Sequence, residues 1–338
     1  MLGTLFDVLG ALVVLVVCAD ALATTLHVGQ AGPLTRHGLG LLWRGLLRLH
    51  RHDTSSRLLA AAGSVMLVLT VLGWVVGLWV GWTLVLFGSD RVVDSTTRES
   101  VPFADVVYYA GFSLFTLGVG DVVAAGSTGR LLSTLASFTG LFVITLSITY
   151  LLSVVSAVVA SQALAVRITA LGEDPAAVVR GGWTGQGFSS AFVQQLIALT
   201  DLVASSAETH LAYPVLHYFR GSEPSSSAVV ALARLDDALL LLQHAVHQDA
   251  RLEPGVVEPL RRTVERYLDT TSSARVGGDL PAPPAPDTEP LARAGVPLAD
   301  AAEYAVGVAA AEQRRTSMRR HLDSNGWSWE PVGGGALG

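Results

Sequence analysis

The chain has 338 residues, of which 51% are hydrophobic and 15% charged, and its mean hydropathy is +0.49. A soluble domain carries about a quarter charged residues, so the composition describes an integral membrane protein with a polar part attached. A net charge of -6, a pI near 5.8 and the lack of a basic stripe argue against a nucleic-acid partner; a single cysteine, Cys18, excludes an intrachain disulfide framework and a cysteine-based zinc site.

Leu2 to Val28 is the first apolar run, long enough at ~1.5 Å per residue to cross a hydrocarbon core of ~30 Å. Ala19-Asp20-Ala21 resembles a signal-peptide cleavage site. The first residues carry no Lys or Arg, however, and Asp7 is acidic where a basic region is expected, so the run reads as a retained span. Asp20 lies inside it, where a carboxylate is costly and usually paired. Two readings stand: a partner arginine near the inner face, or a position close enough to the interface to stay wet. Gly29 to Gly32 and Pro33 break the helix.

From Leu34 to His52, Leu39, Leu42, Trp43, Leu46 and Leu49 recur near helical spacing, with Arg36, Arg44, Arg48 and Arg51 mostly between them. This is the pattern of a helix lying in the membrane interface. The sequence favours a topological anchor here over a gating element, because the basic residues already explain the position. Those arginines and Arg57 precede the second apolar run, Leu58 to Phe87. The positive-inside rule makes the cluster cytoplasmic. The second span then runs outward, the third, Leu131 to Ala165, returns inward to Arg167, and the first runs inward from an external N-terminus. Cleavage at Ala21 would reverse the second span, a further argument against a signal peptide.

Gly88 to Pro102 is an outer loop with Asp90, Asp94 and Glu99 against Arg91 and Arg98. With Asp105 and Asp121 it makes either a mildly acidic vestibule that concentrates cations or an ordinary solvated loop. Pro102 suits the first turn of an amphipathic helix, Phe103 to Phe115. The C-terminal end of that helix aims partial negative charge at the cavity below. It leads into Thr116-Leu117-Gly118-Val119-Gly120-Asp121. Alternating glycines let a strand expose its carbonyls on one side, because a residue without a Cβ adopts either hand of φ. A ring of such carbonyls can replace the water around a dehydrated cation.

Three features act together: this hexamer lies between two spans, Tyr108 and Tyr109 occupy the paired-aromatic positions of a pore helix, and Gly140 follows at the spacing of an inner-helix hinge. On them, the chain from Arg57 to Val166 resembles the potassium channels of the pore-loop superfamily. The resemblance implies an all-α membrane protein with a potassium-channel-like pore domain (helix, re-entrant pore helix and filter, helix), one additional N-terminal transmembrane helix and a helical cytoplasmic C-terminal domain. It implies K⁺ as the permeant ion, held by Thr116, Leu117, Gly118, Val119 and Gly120, with the Thr116 hydroxyl adding a ring of oxygens. Asp121, Tyr108 and Tyr109 support the filter. A homotetramer follows, since one chain supplies one loop and a ring needs four. Neither an organic cofactor nor an enzymatic activity is expected, and the location is the plasma membrane, in contact with lipid. Val119 replaces the filter's aromatic residue, Leu117 its second-position valine, and Phe112 a carboxylate that in some members braces the filter. The carbonyls survive these changes; filter stiffness is what they touch. A non-selective cation pore and a non-conducting channel-like receptor or scaffold are the alternatives. The first and third spans carry no regular arginine repeat, which argues against direct voltage sensing.

The third span is longer than a bilayer requires. With Gly140, residues Leu141, Ile144 and Ile148 share one face at spacings of three and four. They either wall a cavity and close it by excluding water or pack against lipid and helices. Gly140 either bends the helix or permits close packing.

Beyond Arg167, Gly181-Gly182 and Thr184 to Gly187 read as a linker around Trp183. Helices are expected at Ser189 to Phe219, ended or kinked at Pro214 and apolar at Phe192, Leu196, Leu199 and Val203, then at Ala228 to Ala250, Val256 to Thr270 and Leu298 to Leu322. Gly277 to Pro290 reads as a flexible loop and Gly333 to Gly338 as a disordered tail. Arg314, Arg315, Arg319 and Arg320 read as a solvated helix end rather than a lipid-headgroup site. No Gly-x-Gly-x-x-Gly follows a strand and no alternating strands occur, so no nucleotide-binding regulatory domain is evident. His210 and His217, and His244 and His247, are four imidazoles that can ligate a metal. No carboxylate or thiol joins them at ligand spacing, and the sequence favours core packing for them. The expected domains are 1–32, the first span; 33–56, the interfacial helix; 57–166, the pore; and 167–338, the cytoplasmic helical domain.

Overall fold

In a computed structural model the described residues are 2–27, 29, 31–50, 57–88, 90–221, 223–271 and 280–334. Arg51, the start of the Gly277 loop and the end of the C-terminal tail lie outside them. The chain forms two compact units, one of Met1–Leu42 with Ser64–Val154, the other of Trp43–Gly63 with Val155–Gly338. The second half of the expected interfacial helix and the end of the third span therefore belong with the C-terminal body.

The first unit is built on α1 (Leu2–Leu26), the start of α2 (Pro33–His50), α3 (Arg57–Phe87), α4 (Phe103–Leu114) and α5 (Gly126–Leu171). Among the described residues, α1, α3 from Ala61 and α5 are long and apolar enough to cross a membrane. At ~1.5 Å per residue the 46 residues of α5 extend about 69 Å, twice a hydrocarbon core. Hydroxyls within the spans bond back to their own helix, Thr70 to the Met66 carbonyl and Thr83 to that of Trp79, so no polar group there faces lipid unsatisfied on their account.

Helices α1 and α3 lie antiparallel and close. Gly3 faces Gly88, Gly10 faces Gly81 and Val85, and Val17 faces Gly77; a Cβ on Gly10 would lie 2.6 Å from the Gly81 carbonyl oxygen. Gly77 and Gly81 form a small-xxx-small pair, the device by which membrane helices gain van der Waals contact where lipid gives no hydrophobic drive. The buried face of α5 repeats at three and four residues through Ala136, Gly140, Val143, Ser147, Tyr150 and Val154.

The expected outer loop contains a strand. β1 (Val92–Asp94) pairs antiparallel with β2 (Val122–Ala124), Asp94 opposite Val122. Asp94 caps the tight turn that follows β1 by accepting the Thr97 and Thr96 backbone N–H groups, which hold its carboxyl below the usual range.

The second unit is helical: α6 (Pro175–Gly182), α7 (Ser190–Ala212), α8 (Ala228–Leu240), α9 (Pro254–Thr271), α10 (Glu289–Arg293), α11 (Ala301–Ala310) and α12 (Glu312–Ser324). Every residue of α8 from Val229 to Leu240 is buried, the charged Arg234, Asp236 and Asp237 included, so it forms the axis of the body. The predicted face of α7, Phe192, Leu196, Leu199 and Val203, is buried against the same core. Three expectations are corrected. The stretch around Trp183 is a tight turn closed by a Trp183–Phe188 bridge, with Gly182 against the Phe192 ring. The helix expected from Ala228 ends at Leu240 in a π turn, and Val246 then bridges to Leu298. The last helix is broken at Ala311, and two of its four arginines are held by buried carboxylates rather than solvated: Arg315 holds the buried Asp237 through bonds of 2.7 and 3.0 Å, and Arg314 Nε donates to the buried Asp236 at 2.9 Å. The two carboxylates on the central helix recruit these arginines, because a buried charge is tolerated only when paired.

Candidate functional site

Helix α4 and the peptide after it form the centre of the first unit. Pro102 precedes the helix with extended backbone. Three tryptophans of α3 tie the surrounding elements together. Trp74 Nε1 donates to the Asp20 carboxylate of α1 at 3.0 Å, Trp79 Nε1 to the Val107 carbonyl of α4 at 2.8 Å, and Trp82 Nε1 to the Thr139 hydroxyl of α5 at 2.9 Å. Helix α4 is held against α5 by Ser137, whose hydroxyl donates to the Ser113 carbonyl at 2.9 Å, and by Tyr109, whose hydroxyl meets that of Ser133 at 2.6 Å. Ser133 gives its proton to the Gly129 carbonyl, which makes Tyr109 the donor. Tyr108 lies edge-on to Phe112 on the exposed side of α4. Phe112 is buried between the two tyrosines, and the Asp121 carboxylate accepts the Val122 backbone N–H at 3.0 Å.

The peptide that follows is anchored at both ends and open between. The Leu117 N–H donates to the Phe112 carbonyl at 2.8 Å, and the Asp121 carbonyl accepts from Ser95 N–H at 3.0 Å. Thr116, Gly118 and Gly120 have φ of +58°, +63° and +90°, while Leu117 and Val119 between them stay negative. An alternation of hand of this kind allows successive carbonyls to point to one side of an extended peptide. A β-branched residue in the left-handed region is an outlier that costs about 1–3 kcal/mol, so the Thr116 backbone is held there by its surroundings. The Thr116 hydroxyl donates to the Phe115 carbonyl at 2.7 Å, leaving its oxygen lone pairs available. All residues from Phe115 to Asp121 are exposed in the single chain, Leu117 by 69% and Val119 by 52%.

Below this peptide, Gly140 sits against the end of α4, where a Cβ would lie 2.5 Å from the Leu114 carbonyl oxygen; α5 continues unbroken through it. Ile144 shares a small void with Leu114, Phe115 and Val143. Leu141 and Ile148 are exposed.

Asp20 is 1% exposed, away from water-facing surface, and among the described residues its carboxylate bonds to no arginine. It accepts from Trp74, from the Thr35 hydroxyl at 2.6 Å, and from the Leu34 and Thr35 backbone N–H groups at 2.8 and 3.3 Å. It therefore caps the N-terminus of α2 from another helix. Gly32 is required beside it, since a Cβ there would overlap the carboxylate.

The four histidines do not converge. His210 and His217 share an aromatic cluster, whereas His244 lies against Gly307 and His247 caps the turn at Asp249. Among the described residues no group of three or more His, Cys, Asp or Glu is arranged to hold a metal.

Sequence reasoning missed the roles of Trp74, Trp79 and Trp82 and of the glycine seam. The seam had a readable signal, Gly77-x-x-x-Gly81 on α3 and Gly3 and Gly10 at heptad spacing on α1.

A helix pair enclosing a short re-entrant helix and an exposed, alternating peptide defines a pore-loop channel architecture. Residues 65–157 match the family model described as "Ion channel". Along 322 residues, 94% of this chain and 93% of the relative, the sequence is 30% identical to "Uncharacterized membrane protein YdjJ" of Bacillus subtilis (strain 168). Residues 65–157 thus form an ion-channel domain of the pore-loop type, and the chain as a whole belongs to the same family as that membrane protein, the likeness extending through the C-terminal body. No solved structure matches.

Proposed function

We propose that the protein is a potassium-selective channel in which four copies bring residues 116–120 around one axis and hold dehydrated K⁺ by their backbone carbonyls. The observation that carries this reading is the alternation of φ at Thr116, Gly118 and Gly120 on a peptide left exposed by its own chain. An exposed strand at membrane depth must find partners for its backbone, and neighbouring copies and cations supply them. The Thr116 hydroxyl oxygen adds a ring at the inner end, Asp121 fixes the outer end, and Tyr108 and Tyr109 position the pore helix. Leu141, Ile144 and Ile148 wall the cavity; Gly140 serves close packing against Leu114 rather than bending.

The arginines of α2 put its side of the membrane in the cytoplasm, with the filter mouth and the N-terminus outside. In keeping with this, Asp7 of α1 lies 3.5 Å from Arg91 beside the outer ribbon. Val119 brings no ring or hydroxyl to bond a neighbouring pore helix, which bears on selectivity. Purified protein in planar bilayers under a K⁺ gradient against Na⁺ tests the proposal. A reversal potential near that of K⁺ is expected. Equal Na⁺ and K⁺ permeability would make it a non-selective pore, and silence from an intact tetramer a scaffold.

A further inference from the structure

The C-terminal body contains an imidazole cage that ion conduction does not use. His210 of α7 and His217 of the short 3-10 turn after Pro214 both stack edge or tilted on His321 of α12, with ring centroids 6.4 and 6.1 Å away. Tyr267 of α9 closes the cage 5.6 Å from His210. On the other side stands Trp43 of α2. Its ring is 6.2 Å from His217 and 5.5 Å from Tyr218, its indole N–H donates to the Ser324 carbonyl at 3.1 Å, and it is 2% exposed. The residue read as a membrane anchor is thus seated in the C-terminal body.

The walls are neutral or basic. Facing the two rings are Tyr267 from α9, His321 and Asn325 from α12 and its end, Tyr218 beside His217, and Trp43 from α2 with Arg44 near Tyr218. No carboxylate bonds to either ring among the described residues, and the Nε2 atoms of both are buried without a hydrogen-bond partner. Burial pushes His217 down to about 4; burial and the neighbouring His217 push His210 down to about 3.

We propose that this cage is a proton-operated latch: when the compartment facing the C-terminal body acidifies, protonation of His210 and His217 breaks the seat of Trp43 and releases α2. Among the described residues no carboxylate bonds to either ring, and a second imidazolium would stand beside the first, so the charged rings belong to the open form, where water reaches them. The closed form favours the neutral rings. Its stability is therefore complete above the ordinary histidine value of ~6.5 and falls as pH drops below it, until the depressed values are reached. Each ring shifts the opening equilibrium about tenfold per pH unit in that window. Because α2 leads by chain into α3, release would reach the pore; that consequence rests on the channel reading, whereas the latch does not.

Hydrogen exchange by mass spectrometry on the full chain in nanodiscs, corrected for the intrinsic pH dependence of exchange, tests it. Between pH 7.5 and 5.5, peptides spanning 39–48 and 317–327 are expected to open about 100-fold more in the wild type. His217→Phe should lose about tenfold of that response, and His210→Phe/His217→Phe about 100-fold. If the double variant lacks wild-type protection at pH 7.5, the single variants His210→Gln and His217→Gln serve instead, each losing about tenfold. Protection that does not change with pH, or an acid response unaltered by the substitutions, overturns the proposal. A protein that carries no current gives the same exchange readout, so failure of the latch and of the channel reading are separable.

Discussion

Trp74 gives its indole N–H to the carboxylate of Asp20 across 3.0 Å, and that carboxylate also holds the first turn of α2. One buried acid on the first span thus joins the outer pore helix to the helix that precedes it. Four donors converge on it, which satisfies a carboxylate at a site where an unpaired one is costly.

Asp20→Ala strands those donors and should lower stability by about 2–4 kcal/mol, read as a lower melting midpoint of the detergent-solubilised protein. Trp74→Phe removes one donor and should cost about 1 kcal/mol. The double variant should be less destabilised than the sum of the two. Additive losses would mean that the bond contributes little.

Gly140→Ala should weaken the contact between α5 and the pore helix. Its new Cβ meets a backbone oxygen at 2.5 Å, so α4 or α5 must shift rather than a side chain. A loss of about 1–3 kcal/mol in the same melt is expected. Gly81→Ala on the α1–α3 seam should behave alike, since its Cβ would lie 2.7 Å from Val14 and 3.1 Å from the backbone nitrogen of that residue. Wild-type midpoints for both would show that the helices sit farther apart.

Arg315→Met should destabilise by about 3–5 kcal/mol, because it leaves the Asp237 carboxyl buried without its partner. Arg315→Met/Asp237→Leu should recover much of the loss, as a buried pair replaced by apolar side chains of like size is often neutral. Urea unfolding of the full chain in detergent reads both. A double variant no better than the single one would place the arginine's contribution in its bonds to the Pro283 and Pro284 carbonyls.

The spans, the re-entrant helix and the exposed peptide were legible in the sequence because hydropathy and alternating glycines are local signals. The ends of α1 and α3 fall within two residues of the expected positions, whereas α5 begins five residues earlier and ends six later than expected. What escaped depended on contacts between distant residues. Nothing near Asp20 in sequence announces Trp74, 54 positions on. The terminal arginines looked solvated because their carboxylates sit 78 positions away on a helix that becomes buried only when the body closes around it. Trp43 fitted an interfacial pattern equally well, since an aromatic on the apolar face of a basic helix suits either a lipid boundary or a protein groove. The histidine spacings suggested two pairs; folding kept one beside a third ring and sent His244 and His247 elsewhere.

Gly120→Ala should disrupt the pore peptide without disturbing its surroundings. No atom lies within 4 Å of the Cβ it would add, so the effect comes from forcing an L residue to φ near +90°, at about 1–2 kcal/mol. Loss of K⁺ flux into proteoliposomes with the oligomer intact is expected. Unchanged flux would show that the conformation at this position is not used for conduction.

Anomalous diffraction from crystals grown in Tl⁺, a K⁺ mimic, addresses the ion path itself. The account predicts a column of peaks on a fourfold axis, ringed by main-chain oxygens of residues 116–120. A single copy without such an axis, or a peptide turned away from any central conduit and free of Tl⁺, would contradict it.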